Sequence, residues 1–202
     1  MEPTIESSRL PLDSETELAV DTISPEAPTG TFVVCHPHPL HGGSRHDRVV
    51  ASMVAGALDA RMRVVRFDFR GAGASTGTHG GGKSAIDDLS AVMEALGPSE
   101  PVVLGGYSFG ADVALSIVDE RVERWVCVAP VLQVFESWAS DVDERPKTLL
   151  AATHDQFRGA GELRTVVERW SDTTVIEVTG TDHFFAGAQA AIRSHVAAAL
   201  VG

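Results

Sequence analysis

The 202-residue sequence contains no asparagine, only two cysteines and no long apolar run. Without asparagine, N-glycosylation and a Cys/His/Asn protease site are both excluded. Cys35 and Cys127 each lie in a short apolar stretch, which is typical of buried free thiols. Apolar runs such as residues 148–152 are far shorter than the roughly 20 residues that span a bilayer, and residues 1–10 lack an apolar signal core. We therefore expect a cytoplasmic protein with no membrane insertion.

Positive charge is also scarce, since 16 Lys and Arg stand against 28 Asp and Glu for a formal net charge of −12. Nucleic-acid partners require a basic face and are not expected. A chain of this length can bury roughly 70% of the surface that its unfolded form exposes, so it needs neither disulfides nor a metal to fold. We expect one domain over residues 1–202, with no cofactor. The sequence does not indicate an oligomeric state.

Short β-branched runs alternate with longer amphipathic stretches along most of the chain. Strands are predicted at residues 31–35, 63–69, 101–105, 124–128, 148–153 and 173–178, and helices at 45–60, 85–96, 111–118, 161–170 and 188–200. Such alternation predicts an α/β protein whose mostly parallel sheet is covered by helices on both faces. Residues 10–23 are predicted to add two antiparallel edge strands. The irregular apolar segment 129–147 is expected to cover part of the molecule.

A candidate nucleophile lies in Gly106-Tyr107-Ser108-Phe109-Gly110, which matches the nucleophile-elbow pattern. Glycines flank the serine in this pattern because the turn from strand to helix is too tight for larger side chains. The pattern alone is weak evidence, but a predicted strand enters it and a predicted helix leaves it. Ser108 is therefore predicted at the carboxyl edge of the sheet, beside a helix N-terminus that favours developing negative charge.

A serine needs a base to become a good nucleophile, and eight histidines compete for that role. In enzymes with this elbow the chain order is serine, acid, histidine. Only His183 and His195 follow both the elbow and a suitable acid. His195 falls within a predicted helix, whereas His183 lies in the loop after the last predicted strand. His183 is the predicted base.

The acid is expected after the strand that precedes that loop, where Asp155 stands. Its role would be to accept the Nδ1 proton of the histidine, which fixes the tautomer and stabilises the imidazolium. Asp182, Asp141 and Asp143 remain rival carboxylates. Asp182 is less suited because an adjacent residue rarely folds back onto its neighbour's ring.

An oxyanion hole requires at least two N–H donors, of which the elbow provides one at Phe109. The second should come from the loop after Cys35, where the prolines at 37 and 39 have no N–H. His38 is the preferred donor and Leu40 the reserve.

These motifs together carry a family resemblance. They are, in order, His36-Pro37-His38-Pro39, Phe67-Asp68-Phe69-Arg70-Gly71-Ala72-Gly73-Ala74-Ser75, the elbow, Asp155 and Asp182-His183-Phe184-Phe185. Over residues 31–201 the chain resembles the compact, lidless bacterial members of the α/β-hydrolase superfamily, near its dienelactone-hydrolase branch. The resemblance implies an α/β-hydrolase fold without a large lid domain, and a structural role for the Asp-x-Arg-Gly segment. Dienelactone hydrolases use a cysteine nucleophile where this chain has Ser108, so specificity for cyclic lactones is not implied.

Two other motifs compete with this interpretation. Residues 77–84, from Gly77 to Ser84, match the phosphate-loop pattern of NTPases, in which Lys83 would contact phosphates. Against it, the nearest predicted strand ends near Phe69, whereas a phosphate loop leaves its strand directly. The spacing of His36, His38 and His41 also resembles the zinc ligands of the metallo-β-lactamase superfamily, but Leu40 replaces that family's aspartate.

The preferred hypothesis is a serine hydrolase that acts on small or short-chain esters or thioesters through an acyl-enzyme on Ser108. A non-catalytic binding module is the remaining alternative, although such a module has no need for a complete Ser/Asp/His set. The substrate pocket is predicted to be lined by the following residues: Leu40, Tyr107, Val131, Phe135, Trp138 and Phe184.

Overall fold

The computed structural model describes residues 2–201, which form an eight-stranded sheet with α-helices on both faces. The strands are β1 (Thr4–Pro11), β2 (Glu17–Ser24), β3 (Thr31–Cys35), β4 (Arg63–Phe67), β5 (Val102–Tyr107), β6 (Val122–Val128), β7 (Lys147–Ala152) and β8 (Thr173–Val178). The helices are α1 (Arg48–Asp59), α2 (Gly82–Ala95), α3 (Phe109–Leu115), α4 (Ala160–Val166) and α5 (Gln189–Val201). The predicted α/β fold is confirmed.

The strand order is β1-β2-β4-β3-β5-β6-β7-β8, and every pair from β4 to β8 is parallel. β2 is antiparallel to both of its neighbours, β1 and β4. Two antiparallel strands are present, but only β2 falls largely within the predicted range of residues 10–23, and only β1 lies at the edge. β1 also begins at Thr4, earlier than predicted. Its side chains are exposed on both faces, so no alternation of apolar residues marks it in the sequence.

Two apolar layers sandwich the sheet. One contains the buried faces of α2, α3 and α4, and the other contains those of α1 and α5. α1 and α5 approach closely at Gly56, where a Cβ atom would lie 2.5 Å from the backbone oxygen of Arg193. The central strands are buried from end to end, as expected of parallel strands covered on both faces.

The carboxyl ends of β3, β5, β7 and β8 lie at the same edge of the sheet, which brings the loops that follow them together. The segment between β6 and β7, residues 129–146, contains no helix or strand, so no lid domain is inserted there. Cys35 and Cys127 are buried free thiols, each opposite Gly106 on a neighbouring strand. Within residues 2–201, no helix has both the length and the apolar character to cross a membrane.

Candidate active site

Ser108 occupies the tight turn between β5 and α3, with φ 55° and ψ −120°. This positive φ is strained for a residue with a side chain and exposes the hydroxyl above the sheet. The flanking glycines are required by close backbone contacts. A Cβ on Gly106 would lie 2.3 Å from the carbonyl carbon of Gly110, and one on Gly110 would lie 2.5 Å from the backbone oxygens of Cys35 and His36. Only glycine fits at either position.

The structure brings the predicted nucleophile, base and acid together. His183 Nε2 lies 2.9 Å from Ser108 Oγ, and its Nδ1 lies 2.7 Å from Asp155 Oδ2. The imidazole and the carboxylate are almost fully buried. Because an ionised carboxylate can only accept, Nδ1 carries the proton and Nε2 is left to accept the serine hydroxyl proton. This arrangement can remove a proton from Ser108.

Asp155 is held by further donors. Its Oδ1 accepts the backbone N–H groups of Phe157 at 2.8 Å and Arg158 at 3.1 Å. Burial alone would raise the pKa of Asp155, but the hydrogen bonds from His183 and from these amides outweigh it and place the pKa below its ordinary value. The carboxylate therefore remains ionised at neutral pH.

Two of the rival carboxylates have other partners, and Asp141 lies at a different part of the surface. Asp182 accepts the N–H of Phe184 at 3.1 Å and so orders the histidine loop. Asp143 forms an ion pair with Arg145 at 2.6 Å. The backbone oxygen of Asp141 accepts the N–H of Ser171 at 3.0 Å, and this residue lies beside a separate surface depression.

Aromatic residues enclose the base. The hydroxyl of Tyr107, the last residue of β5, donates to the backbone oxygen of His183 at 2.9 Å. The ring of Phe157 meets the imidazole edge-on at 4.6 Å between centroids, and that of Phe184 does so at 5.7 Å. These contacts hold the imidazole in one orientation and restrict water around it.

The loop after β3 folds tightly on itself beside the elbow. The N–H groups of His41 and Gly43 both donate to the backbone oxygen of His38, at 3.0 and 3.2 Å. The Leu40 amide donates to His38 Nδ1 at 3.2 Å, so it is already engaged. Among the described residues, the N–H groups of His38 and Phe109 donate to no protein acceptor. Their amides, rather than that of Leu40, are suited to an oxyanion.

His36 is fully buried beneath this loop. Its Nδ1 is 2.6 Å from the Pro37 oxygen, and its Nε2 accepts the N–H of Phe69 at 3.0 Å. Burial lowers the pKa of His36 to about 4, so the ring is neutral. With both nitrogens engaged, His36 is unavailable to a metal. Within residues 2–201, no three His, Cys, Asp or Glu residues are grouped to hold one, and the zinc interpretation has no structural support.

The glycine-rich segment 77–84 does not form a phosphate cradle. Ser84 Oγ donates to the Gly81 oxygen at 2.9 Å and accepts the N–H of Gly80 at 3.0 Å. A Cβ on Gly82 would lie 2.5 Å from the ring of Phe135, which covers the start of α2. The Lys83 side chain is 90% exposed and faces Asp87 at 3.8 Å. The structure does not support the NTPase interpretation.

A cavity of about 630 Å³ opens above Ser108. Of the predicted pocket residues, Tyr107, Val131 and Phe184 line it, and Leu40, Phe135 and Trp138 do not. Leu40 is 71% exposed, Phe135 packs over the start of α2, and Trp138 packs against Trp170 with ring centroids 6.1 Å apart. Side-chain directions in an irregular loop follow no period, so the sequence could not separate these residues.

Sequence reasoning missed several residues around the cavity. The further lining residues include Gly43, Asp47, Gln133, Val134 and Phe157. Phe157 could have been found, since it follows Asp155 by two residues in the same loop. Asp112, whose carboxylate accepts N–H groups of residues 132–134 beside the cavity, could also have been noticed, because it is a charged residue among the otherwise apolar and small residues of α3.

Comparisons with known proteins identify the family and the fold of this chain. Residues 28–196 match the family model described as serine aminopeptidase, S33. An α/β serine hydrolase homologue from Coxiella burnetii is 27% identical, with a TM-score of 0.87 over 99% of this chain and 98% of that one. A lidless α/β serine hydrolase from Xanthomonas campestris is 26% identical, with a TM-score of 0.82 over 97% and 92%.

An uncharacterized protein of Rickettsia prowazekii is 28% identical over 80% of this chain and 74% of its own length. The family match spans most of the chain, and the two solved structures share its fold from end to end. The chain therefore belongs to the serine aminopeptidase S33 family and is a compact α/β serine hydrolase.

Proposed function

We propose that this protein is a carboxylesterase or thioesterase that cleaves small acyl substrates through a Ser108-His183-Asp155 triad. The observation that carries the proposal is the hydrogen-bonded relay, 2.9 Å from Ser108 to His183 and 2.7 Å from His183 to Asp155, at the base of an open cavity. A nucleophile, its base and an orienting acid are the parts that acyl transfer needs.

In the first half-reaction, Ser108 Oγ attacks the substrate carbonyl while His183 Nε2 takes the hydroxyl proton. The carbonyl oxygen becomes an oxyanion, which the N–H groups of Phe109 and His38 stabilise. His183 then gives its proton to the leaving alcohol or thiol as the bond to the acyl carbon breaks. A water molecule, deprotonated by His183, then attacks the acyl carbon. The bond between that carbon and Ser108 Oγ breaks, His183 returns the proton to Oγ, and the carboxylic acid leaves.

The cavity favours a compact substrate with an apolar part. Its volume of about 630 Å³ must hold both the acyl and the leaving group, and it lies within the usual range for small-molecule sites. Phe109, Phe157, Phe184 and Val134 provide apolar walls. The absence of an inserted domain between β6 and β7 leaves the mouth open, so substrates need no lid movement to enter.

Fluorophosphonate labelling combined with a substrate panel tests the proposal. Wild-type protein should be labelled at Ser108, and Ser108→Ala should abolish labelling. The panel should contain p-nitrophenyl esters of graded acyl length, acyl thioesters and aminoacyl p-nitroanilides, because the family description names an aminopeptidase. Turnover of esters or thioesters well above that of anilides supports the proposal. A preference for anilides would assign peptidase activity, and a wild type that is neither labelled nor active would indicate a binding module.

A further inference from the structure

One wall of the cavity is a short irregular segment, residues 129–134, directly after β6. Val131, Gln133 and Val134 line the cavity. Ala129 and Leu132 have positive φ angles of 46° and 53°, a conformation that costs free energy for residues with side chains. The segment has no helix or strand of its own to maintain this shape. Contacts from outside the segment must therefore hold it.

Asp112 provides most of these contacts. It lies in α3, four residues after Ser108, and is fully buried. Its Oδ1 accepts the N–H of Leu132 at 2.9 Å, and its Oδ2 accepts those of Gln133 at 3.2 Å and Val134 at 3.4 Å. Both oxygens of one buried carboxylate thus bind successive amides of the wall.

Arg158 also holds the wall. Its Nε donates to the backbone oxygen of Val131 at 2.6 Å, while its own backbone N–H donates to Asp155 at 3.1 Å. The guanidinium also pairs with Glu162 at 2.7 Å. The wall is therefore attached to the helix that begins at the nucleophile and to the loop that carries the acid.

We propose that Asp112 is a positioning residue that sets the shape of the wall at residues 131–134 and thereby the acyl-length selectivity of the site. This inference rests on the proposed function. Asp112 contacts the wall only through backbone amides and does not touch the reacting atoms. If residue 112 cannot accept hydrogen bonds through two oxygens, the wall loses contacts that offset the free-energy cost of its positive φ angles. The cavity then widens or varies in shape.

Asp112→Asn is the direct test, because an amide keeps one acceptor oxygen and turns an N–H₂ donor toward the remaining wall amides. The matched control is Asp88→Asn. Asp88 is also a fully buried aspartate on a helix, but it accepts from Arg70 and lies outside the cavity lining. A general loss of stability should appear in both variants, and a change in selectivity only in the first.

The readout is the ratio of kcat/KM for a long and a short acyl p-nitrophenyl ester. In Asp112→Asn we expect a shift of about 10-fold, comparable to the discrimination carried by a methylene or two in an apolar pocket. We expect this shift to come mainly from changes in KM. Asp88→Asn should keep the ratio within about two-fold of the wild-type value. An unchanged ratio in folded Asp112→Asn, or an equal shift in Asp88→Asn, would overturn the proposal.

If Asp112→Asn does not fold, Arg158→Met decides, since the methionine side chain has no N–H to donate to the backbone oxygen of Val131. A shifted ratio supports the proposal, and a wild-type ratio overturns it.

Amide hydrogen exchange separates this inference from the proposed function. The amides of Leu132, Gln133 and Val134 should exchange at least 10-fold faster in Asp112→Asn than in wild type, whether or not the protein hydrolyses esters. If exchange is faster in the variant but wild-type Ser108 is not labelled, the inference that Asp112 holds the wall stands and the esterase proposal is rejected. Unchanged exchange would reject the wall contact alone.

Discussion

The chain has two glycine-rich stretches that match short catalytic motifs, the elbow at residues 106–110 and the loop at residues 77–84, and the structure treats them differently. In the elbow, one residue separates β5 from α3, and a side chain on Gly106 or Gly110 would collide with backbone. In the loop, β4 ends at Phe67 and α2 begins only at Gly82. A Cβ on Gly80 would meet only the Ser84 side chain.

The difference shows that a sequence motif indicates a function only when the backbone gives it the required position between a strand and a helix. A phosphate loop and a nucleophile elbow both rely on a helix N-terminus placed directly after a strand. Only the elbow has that placement here. The hydroxyl of Ser84 in the loop is engaged in local hydrogen bonds, whereas that of Ser108 is hydrogen-bonded to His183 at the base of the cavity.

The two serines allow the sharpest test of this comparison. Ser108→Ala should lower kcat for ester hydrolysis by up to about 10⁶-fold, because nucleophile and base act as one unit. Ser84→Ala should leave kcat within about two-fold, since its hydroxyl bonds only to Gly80 and Gly81. Steady-state kinetics on one short-chain ester would measure both. Full activity in the Ser108 variant would contradict the assignment.

The acid of the elbow site should produce the next largest effect. Asp155→Asn should reduce kcat by about 10⁴-fold, because an amide donates to Nδ1 of His183 and stabilises the wrong tautomer. Asp182→Asn serves as the control, as that carboxylate bonds only to the N–H of Phe184. Circular dichroism should show both variants folded. Greater loss in the control would move the acid to Asp182.

Glycine substitutions compare the two stretches in stability. Gly110→Ala would place a methyl group 2.5 Å from two carbonyl oxygens and should cost about 3 kcal/mol or more, equivalent to roughly 6–12 °C in melting temperature. Gly80→Ala meets only a movable serine side chain and has no positive φ, so its melting temperature should stay close to that of wild type. Thermal unfolding by calorimetry measures both. Equal shifts would mean that the elbow has room to relax.

The smallest effect concerns pH, and it compares the buried aspartates of the helices that follow the two stretches. Burial raises the pKa of Asp112 to about 6, despite the wall amides that stabilise its ionised form. Cys127 is another titratable group near this carboxyl, and burial keeps its pKa raised and its thiol neutral. Arg158, in the loop that carries the acid, donates to the backbone oxygen of Val131 in the same wall. Burial raises the pKa of Asp88 as well, but its carboxylate has Arg70 as a direct ion-pair partner at 2.6 Å.

Between pH 7 and 5 the Asp112 carboxyl should gain a proton, which turns one acceptor oxygen into a donor. Because its native pKa lies above its unfolded value, the native state binds this proton more tightly, and Asp112 favours folding more as pH falls toward 4. Protonation therefore does not unfold the protein through this group, but it weakens the hydrogen bonds from the wall amides. We expect the ratio of kcat/KM for long and short acyl esters to shift a few-fold in wild type, and not in Asp112→Asn. Identical pH profiles of the ratio in both proteins would contradict this.

Much of the fold could be predicted because its signals are local. The central strands are apolar along their length, and the predicted strand at residues 173–178 matches β8. β1 was harder to delimit because its exposed side chains carry no periodic pattern. Its neighbour β2 lies inside the sheet rather than at the edge, and this depends on long-range pairing with β4.

The sequence by itself determined the alternation of strands and helices, the elbow and the order of Ser108, Asp155 and His183, because turn chemistry and chain order depend on near neighbours. Only the tertiary structure decided which loop side chains face the cavity. Leu40 turns to solvent, whereas Phe157 packs on the base. It also decided that Asp112 holds the wall, 20 residues away from Leu132 along the chain. Such contacts arise from packing between distant segments, which no local pattern encodes.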